Sequence, residues 1–233
     1  MGAKMVSIYI LLWLMLEIHA VHSQSLKEKM FTFPEENNTT YVRFKISRKD
    51  MNATTICLRS YTDLTRDYSL LSLNTPSSVD EILIYREPHF KNTFQVKVGD
   101  RVAEFVWQKY ELNKWQAICL TWEAGSGLTQ LWVNGKGSSR KLTTKSVITG
   151  GHFTIVLGQD QNPEESHRSE CFVGMMRHLH VWDYVLSEQD IDTYSSAYNM
   201  IRFPHGNVLD WSTVQDFDIM GDVVVEKGQR LSN

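Results

Sequence analysis

Trp115-Gln116-Ala117-Ile118-Cys119-Leu120-Thr121-Trp122-Glu123 is the stretch that decides the fold of this chain. Ile118, Leu120 and Trp122 recur at every second position, which predicts a β-strand because successive side chains of a strand point to opposite faces. No charged residue lies between Gln116 and Trp122 on either face. We therefore expect a strand that is covered on both faces, as in the centre of a packed sandwich.

The length and hydrophobic content of the chain are ordinary for a single β-sandwich domain. The chain has 233 residues, of which 42% are hydrophobic, and this is enough for a sizeable core. The formal net charge is −3 at pH 7, and the basic residues are scattered. Charge therefore gives no reason to expect a nucleic acid or an anionic membrane as a partner. No linker or internal repeat divides residues 24–233, and we expect a single domain there.

Residues 1–23 have the pattern of a secretory signal peptide. Lys4 supplies a positive charge, and residues 6–16 form an apolar run that is too short to span a bilayer comfortably. Val21-His22-Ser23 places small residues at the −3 and −1 positions of a cleavage site. We predict a mature chain that starts at Gln24 and is secreted to the extracellular space without membrane insertion.

Secretion implies that the cysteines can form disulfides, and the chain has three: Cys57, Cys119 and Cys171. In an oxidising compartment two of them should be bridged and one left over. Cys57 and Cys119 both lie in apolar, strand-like contexts and could stand on adjacent strands. Cys171 could be buried and reduced, or it could pair between chains.

Strand signals are frequent along the mature chain, and helix signals are rare. Short alternating runs occur at 41–46, 82–85, 94–98, 102–107, 130–133, 153–157, 172–174, 179–182 and 223–225. Asn134-Gly135 is a hairpin turn signal. One helix is predicted near Ser187–Tyr198, because Ser187 is a good N-cap and Asp190 follows three residues later. The pattern predicts an all-β sandwich of two sheets with one short α-helix.

Three glycosylation sequons are present, at Asn37, Asn38 and Asn52. The first two overlap, so at most one of them should be used. We predict glycosylation at Asn38 and Asn52, because both regions are polar and turn-like in a secreted protein.

The segment from Leu157 to Glu170 has the most informative chemistry. It starts where an apolar strand ends, and it combines carboxylates with amide oxygens. Calcium takes about six to eight oxygen ligands in a flexible arrangement, and such a loop can supply most of them. Acidic loops are usually solvated, so this pattern alone is a weak indication of calcium binding.

Imidazole or thiolate metal sites are less favoured by the sequence. Cys171 and His167 lie close together, but no second Cys or His has the spacing of zinc ligands. His178 and His180 alternate on a strand-like stretch, so they should share a face, and they lack a third ligand. We interpret them as surface residues.

Taken together, these residues resemble the short pentraxins. The family signature, His-x-Cys-x-Ser/Thr-Trp-x-Ser/Thr, corresponds to residues 117–124, in which Cys119, Thr121 and Trp122 match and the first and last positions do not. Similarity continues in the family's order from about Phe31 to Lys227. The further matching stretches are 33–34, 55–59, 80–85, 131–136, 156–159, 182–187 and 207–211.

The resemblance implies a lectin-like jelly roll with a Cys57–Cys119 disulfide and one helix on one face. It implies ring-shaped homo-oligomers, usually pentamers, and two Ca²⁺ ions per subunit on the opposite face. Through these ions the protein would bind phosphorylated or acidic carbohydrate or lipid head groups on microbes or damaged cells in innate immunity. Complement components are further expected partners, and no enzymatic activity is expected.

The resemblance assigns the calcium ligands to residues that differ in part from the family pattern. Val79 replaces a carboxylate, Asn162 replaces another, and His167 falls on the position of a Glu. The ligands assigned to this chain are Asp80, Asp160, Gln161, Asn162, Glu165 and Glu170. These substitutions weaken the position that bridges the two metals, so we predict one retained calcium site and a second that is weak or absent.

The resemblance also implies a ligand pocket formed by Tyr85, Gln95 and Arg101. Across a one-residue gap, Arg101 takes the place of a Glu that receives the positive charge of choline in phosphocholine-binding members. A cation there would repel choline. We therefore expect poor phosphocholine selectivity and a preference for phosphoethanolamine, anionic polysaccharide or another acidic ligand.

Two other classes of function remain open. One is a degenerate pentraxin that assembles but has lost calcium-dependent recognition. The other, more remote, is a jelly-roll glycoside hydrolase, since Asp216 and Asp218 would share one face of a strand, as a pair of catalytic carboxylates does.

Overall fold

The computed structural model describes residues 25–48, 50–160, 170–196 and 203–228, so the predicted signal peptide lies outside the described residues. The strands, in chain order, are β1 (Lys29–Phe33), β2 (Tyr41–Ser47), β3 (Asp50–Met51), β4 (Ala53–Tyr61), β5 (Tyr68–Thr75), β6 (Ser78–Glu87), β7 (Thr93–Val98), β8 (Arg101–Phe105), β9 (Gln116–Glu123), β10 (Leu128–Val133), β11 (Lys136–Gly137), β12 (Lys141–Leu142), β13 (Ile148–Thr149), β14 (His152–Leu157), β15 (Gly174–Trp182), β16 (Leu209–Asp210), β17 (Phe217–Met220) and β18 (Val224–Lys227). The helix α1 spans Glu188–Ser195.

Two antiparallel sheets pack face to face around one core. The first sheet has the order β11-β10-β9-β4-β15-β1-β18, with β12 beside β10 and β16 beside β15. The second has the order β17-β2-β14-β5-β6-β7-β8, and β3 pairs separately with β13. Strands that are distant in sequence are neighbours in both sheets, which is typical of a jelly roll. This confirms the predicted two-sheet, lectin-like sandwich.

Strand β9 is buried along nearly its whole length, as its uncharged sequence predicts. Ile118, Leu120 and Trp122 enter the core between the sheets. The indole of Trp122 is fully buried, and its Nε1 donates a hydrogen bond to the Thr144 carbonyl at 2.9 Å. The opposite face of β9 carries Cys119 into a second apolar cluster. Both faces are therefore covered, one by the second sheet and one by the helix side.

The second cluster, called here the helix cluster, lies between the first sheet and α1. Its members are Cys57, Ala117, Cys119, Trp132, Trp182, Leu186, Ile191, Tyr194 and Phe203. Ser187 is the N-cap of α1, and its Oγ accepts a hydrogen bond from the Asp190 backbone N at 3.1 Å. The predicted helix start is thus confirmed. The predicted end at Tyr198 was too late, because the helix ends at Ser195 and its C-cap, Ser196, has an extended backbone with a φ of −73° and a ψ of 120°. Within the described ranges, no helix is long and apolar enough to cross a membrane.

Cys57 and Cys119 stand directly opposite each other on β4 and β9 and form a disulfide. This confirms the pairing that the resemblance implied. Cys171 is a buried thiol whose Sγ accepts a hydrogen bond from Arg66 Nη2 at 3.9 Å. Burial raises the pKa of this thiol, so it is a weak nucleophile at neutral pH.

Two strand predictions had wrong bounds. The runs predicted at 172–174 and 179–182 belong to one strand, β15, which begins at Gly174. Gly174 has a φ of 136°, and a Cβ there would meet the Tyr61 carbonyl oxygen at 2.3 Å, so the position requires glycine. β8 ends at Phe105, before the predicted end at Trp107. Trp107 has a φ of 60°, which is incompatible with an extended strand.

Replacing Cys57 and Cys119 together by alanine should lower the free energy of unfolding by about 4 kcal/mol. Without the disulfide, the unfolded chain regains the conformational entropy of the loop between the two cysteines, whose sequence separation is 62. Urea unfolding at one fixed protein concentration measures the change. The matched control is Cys171→Ala, which removes a buried cysteine outside the disulfide and should keep most of the stability. A loss below about 1 kcal/mol in the double variant would contradict the prediction.

Candidate functional site

The outward face of the second sheet carries a row of side chains that we call the Tyr85 row: Tyr85, Gln95 and Glu104. Tyr85 on β6 stands opposite Gln95 on β7, and Gln95 stands opposite Glu104 on β8. Neighbouring strands are about 4.8 Å apart, so the three side chains form one continuous strip across the sheet.

Arg101, predicted to line the pocket, does not belong to this row. It stands at the start of β8 opposite Val98, which points into the core, and it is three residues from Glu104. An odd separation along a strand places two side chains on opposite faces. The structure therefore places Glu104, and not Arg101, opposite Gln95 in this row. The side chain at the end of the row is negative rather than positive.

Further carboxylates lie around Tyr85. Burial raises the pKa of Tyr85, and the nearby negative charges of Glu170 and Asp67 raise it further. One carboxylate oxygen of Asp67, Oδ1, is buried and has no hydrogen-bond partner among the described residues. A buried carboxylate oxygen without a partner is costly unless a cation or donor approaches it.

Glu87 completes the acidic surroundings. Gln95 Nε2 donates a hydrogen bond to Glu87 Oε1 at 2.9 Å. Burial raises the pKa of Glu87, and the negative charges of Asp67 and Glu104 raise it further, against the lowering effect of the bond from Gln95. We call Asp67, Tyr85, Glu87, Glu104 and Glu170 the acidic pocket.

One cation lies on the inner side of this pocket. The Arg86 guanidinium is buried in the core, 4.7 Å from the centre of the Phe94 ring and 5.1 Å from that of Tyr110. Its positive charge interacts with the Asp67 carboxylate and offsets part of the negative charge of the acidic pocket from the core side of the sheet. The four carboxylates of the acidic pocket outnumber this one guanidinium.

Asp80 is turned to the same outward face by an irregularity in β6. By alternation it would point into the core with Ile82 and Ile84, which are fully buried. The register of β5 with β6 slips next to it, and Asp80 has a φ of 53°. As a result its carboxylate accepts a hydrogen bond from Ser72 Oγ, and its backbone N donates to Asn74 Oδ1 at 2.7 Å. The bulge re-aims an acidic side chain, as bulges near binding sites often do.

The other predicted calcium ligands belong to the connection after β14. Asp160 is buried near its start, and Glu170 lies at its end. The backbone N of Phe172 donates to the Gly158 carbonyl at 2.8 Å, which holds the two ends together. Gln161, Asn162 and Glu165 lie outside the described residues.

The donor chemistry of this set fits calcium, since every predicted ligand offers oxygen. Asp80 is hydrogen-bonded to Ser72, and Tyr85 stands opposite Ser69. Ser69 and Ser72 are roughly 10 Å apart along β5. Among the described residues, no three carboxylates converge on one point, so residues 161–169 would have to complete a calcium site. Within the described ranges, the converging group of metal-binding side chains is a different one: His180, His205 and Asp210.

The histidine prediction needs correction. The register of β15 with β4 slips between Arg177 and His180, and His178 has a φ of 57° at this bulge. The two histidines therefore do not share a face by simple alternation. His180 is buried against the helix cluster, so its interpretation as a surface residue was wrong.

The carboxylates of the glycosidase alternative are engaged in ion pairs. Asp218 on β17 lies 2.9 Å from Arg43 Nη2 and 3.2 Å from Lys45 Nζ. Hydrogen bonds from these two residues lower the pKa of Asp218. A general acid needs a raised pKa, so this geometry disfavours acid catalysis by Asp218.

The sequons differ in exposure. Asn37 is buried, and its Oδ1 accepts a hydrogen bond from the Thr39 backbone N at 3.0 Å. Asn38 and Asn52 are exposed. Glycosylation at these two positions stays a prediction.

The two antiparallel sheets and their jelly-roll strand order define a lectin-like fold class. Residues 29–227 match the model of the Pentaxin family. The chain is 34% identical over 201 residues to C-reactive protein of Sus scrofa, covering 85% of this chain and 86% of the relative. It is 32% identical over 213 residues to serum amyloid P-component of Homo sapiens, covering 90% and 92%. The chain belongs to the pentraxin family.

A solved structure supports the fold independently. The native heptameric SAP-like pentraxin from Limulus polyphemus superposes with a TM-score of 0.74 at 21% identity, covering 87% of this chain and 96% of that chain. At this identity the likeness concerns the fold.

Ser72→Ala should destabilise the calcium-free protein by about 1–3 kcal/mol, because the buried Asp80 carboxylate loses its hydroxyl donor. Ser69→Ala is the matched control: Ser69 lies on the same strand, and its Oγ is buried without a hydrogen-bond partner in the described structure. The control should change stability by less than about 0.5 kcal/mol. Chemical unfolding of the three proteins in chelator measures both values, and equal losses in the two variants would refute the role of Ser72.

Proposed function

We propose that this protein is a secreted recognition pentraxin that binds phosphate esters carrying an ammonium group, with calcium as cofactor, in innate immunity. The acidic pocket, which lies on the same outward face as Asp80, is the observation that carries this proposal. Two chemistries share that face: oxygen donors suited to calcium, and a group of carboxylates suited to an organic cation.

Calcium, when bound, would supply concentrated positive charge for the oxygens of a phosphate on an otherwise acidic surface. Asp80, Asp160 and Glu170 would hold it together with residues of the 161–169 segment, for which Gln161, Asn162 and Glu165 are proposed. Ser72 and Asn74 orient Asp80 for this task. Val79, Asn162 and His167 stand where the family has other ligands, so we propose one strong calcium site and one weak site.

The acidic pocket would then receive the cationic end of the ligand. Glu104 and Glu87 attract an ammonium group through Coulomb forces, and the Tyr85 ring adds a cation–π surface. The expected repulsion of choline by Arg101 loses its basis, because Glu104 takes that position in the row. The preferred ligands are therefore zwitterionic head groups, such as phosphoethanolamine or phosphocholine, rather than anionic polysaccharides.

Assembly and location are part of the same proposal. We infer that residues 1–23 are removed and that residues 24–233 form one pentraxin domain that assembles into a homo-oligomeric ring. Family membership and the relatives named serum amyloid P-component support secretion. The Limulus polyphemus relative is a heptamer, while five subunits per ring and complement partners stay expectations from the family.

A degenerate pentraxin is the second candidate, and a specific observation favours it. Val79 is 44% exposed at a position where the family has a carboxylate, and the described carboxylates do not converge. Such a protein would fold and assemble without responding to calcium.

Millimolar calcium should raise the melting temperature of the mature protein, and chelator should reverse the increase. Binding to the folded state stabilises it by about 2.7 kcal/mol at a ligand concentration one hundred times the dissociation constant. The substitution Asp80→Asn should reduce this shift in melting temperature. The control is Asp216→Asn, which should leave the shift unchanged, because Asp216 is an exposed carboxylate directly before β17, at the far edge of the sheet. The absence of any calcium-dependent shift in the parent protein would support the degenerate pentraxin instead.

Glu104→Gln should weaken the binding of phosphoethanolamine in calcium by about threefold to tenfold, since it removes about 0.5–1.5 kcal/mol of attraction for the ammonium group. Binding of inorganic phosphate, which lacks that group, should stay unchanged. Isothermal calorimetry with both probes measures the difference, and Arg101→Gln is the control from the same strand. Equal weakening toward both probes, or a larger effect of Arg101→Gln, would exclude this pocket.

A further inference from the structure

A second group of metal-binding side chains lies on the opposite, helix-bearing face of the sandwich. His180 on β15 stands directly opposite Asp210 on β16. His205 lies on the segment that leads into β16. One ligand atom from each of these three residues lies within 4.8 Å of the others.

Both imidazoles lie next to the Asp210 carboxylate, and each faces a different oxygen of it. His180 Nδ1 is 3.5 Å from Asp210 Oδ1, and His205 Nδ1 is 3.1 Å from Asp210 Oδ2. Zinc bonds of about 2.0–2.1 Å place neighbouring ligand atoms about 3.3 Å apart. The side chain of His205 is 58% exposed, so it can rotate to close the remaining edge.

His180 is the second, independent observation that indicates a ligand. Its side chain is only 3% exposed, and its Nδ1 is buried with no hydrogen-bond partner among the described residues. The ring is fixed by Phe203 and Trp182, at centroid distances of 4.9 and 5.8 Å.

Neighbouring groups orient the other two ligands. The backbone N and the Oγ of Ser212 each donate to Asp210 Oδ1 at 2.9 Å. Trp182 Nε1 donates to the backbone carbonyl of His205 at 3.0 Å. Such outer contacts hold metal ligands in place and raise metal affinity.

We propose that His180, His205 and Asp210 bind one Zn²⁺ ion, or a similar divalent transition metal, with a fourth position open to solvent beside His205. Two imidazoles and one carboxylate suit zinc, whereas calcium prefers oxygen ligands throughout. The ion would be independent of calcium, because the two sites lie on opposite outer faces of the sandwich.

The test is a Zn²⁺ titration of the chelator-stripped mature protein by calorimetry, in excess calcium so that oxygen sites are filled. One zinc per chain is expected. His205→Ala and Asp210→Asn should each weaken binding by at least about tenfold, and circular dichroism should show that both variants are folded. His152→Ala is the control, since His152 is exposed on β14 of the other sheet.

Cobalt provides a second measurement on the same proteins. Co²⁺ in this site should give the strong visible absorption of four-coordinate cobalt, and this signal should disappear in His205→Ala but not in His152→Ala. If Zn²⁺ does not bind in excess calcium, or if neither His205→Ala nor Asp210→Asn weakens it, the three residues are a hydrogen-bonded cluster only and the proposal is overturned.

Discussion

The pairing of β4 with β9 is the constraint on which the rest of this structure depends. Both strands are buried on both faces, and the Cys57–Cys119 disulfide joins them at one fixed register. A slip by one residue would exchange the two faces of a strand. The register therefore decides that Leu120 packs on the second sheet while Cys119 packs under the helix. The second sheet is held in turn by this core, with its outer face free for binding.

The sequence predicts those features that follow from regular periodicity. Alternation identified β9 as doubly covered, and Ser187 with Asp190 identified the helix start. Such signals are local and involve several residues, so an error at one position does not change the predicted element. The acidic pocket has no such signal: Asp67 joins it from the loop before β5, and Glu104 joins it through the register of β7 with β8. The resemblance assigned this position to Arg101, three residues before Glu104, and so the expected charge was reversed.

Both candidate sites lie next to departures from regular strand geometry. The slip beside Asp80 turns a carboxylate from the core to the outer face. The bulge at His178 inserts one extra residue, so that Arg177 pairs with Arg59 and His180 pairs with Cys57. Periodicity fails at these places because one inserted residue inverts every later side chain. The residues of both candidate sites were therefore hardest to orient from the sequence, because they lie next to these register shifts.

The disulfide and the proposed zinc site form one transverse row on the helix side. Cys119, Cys57, His180 and Asp210 stand opposite one another in turn on β9, β4, β15 and β16. The covalent bond fixes one end of this row, and a metal would fix the other by joining His205 to it. Since β16 has only two residues paired with β15, its hydrogen bonds alone hold it weakly. A metal ion bound there would thus stabilise the part of the first sheet that has the fewest backbone hydrogen bonds between strands.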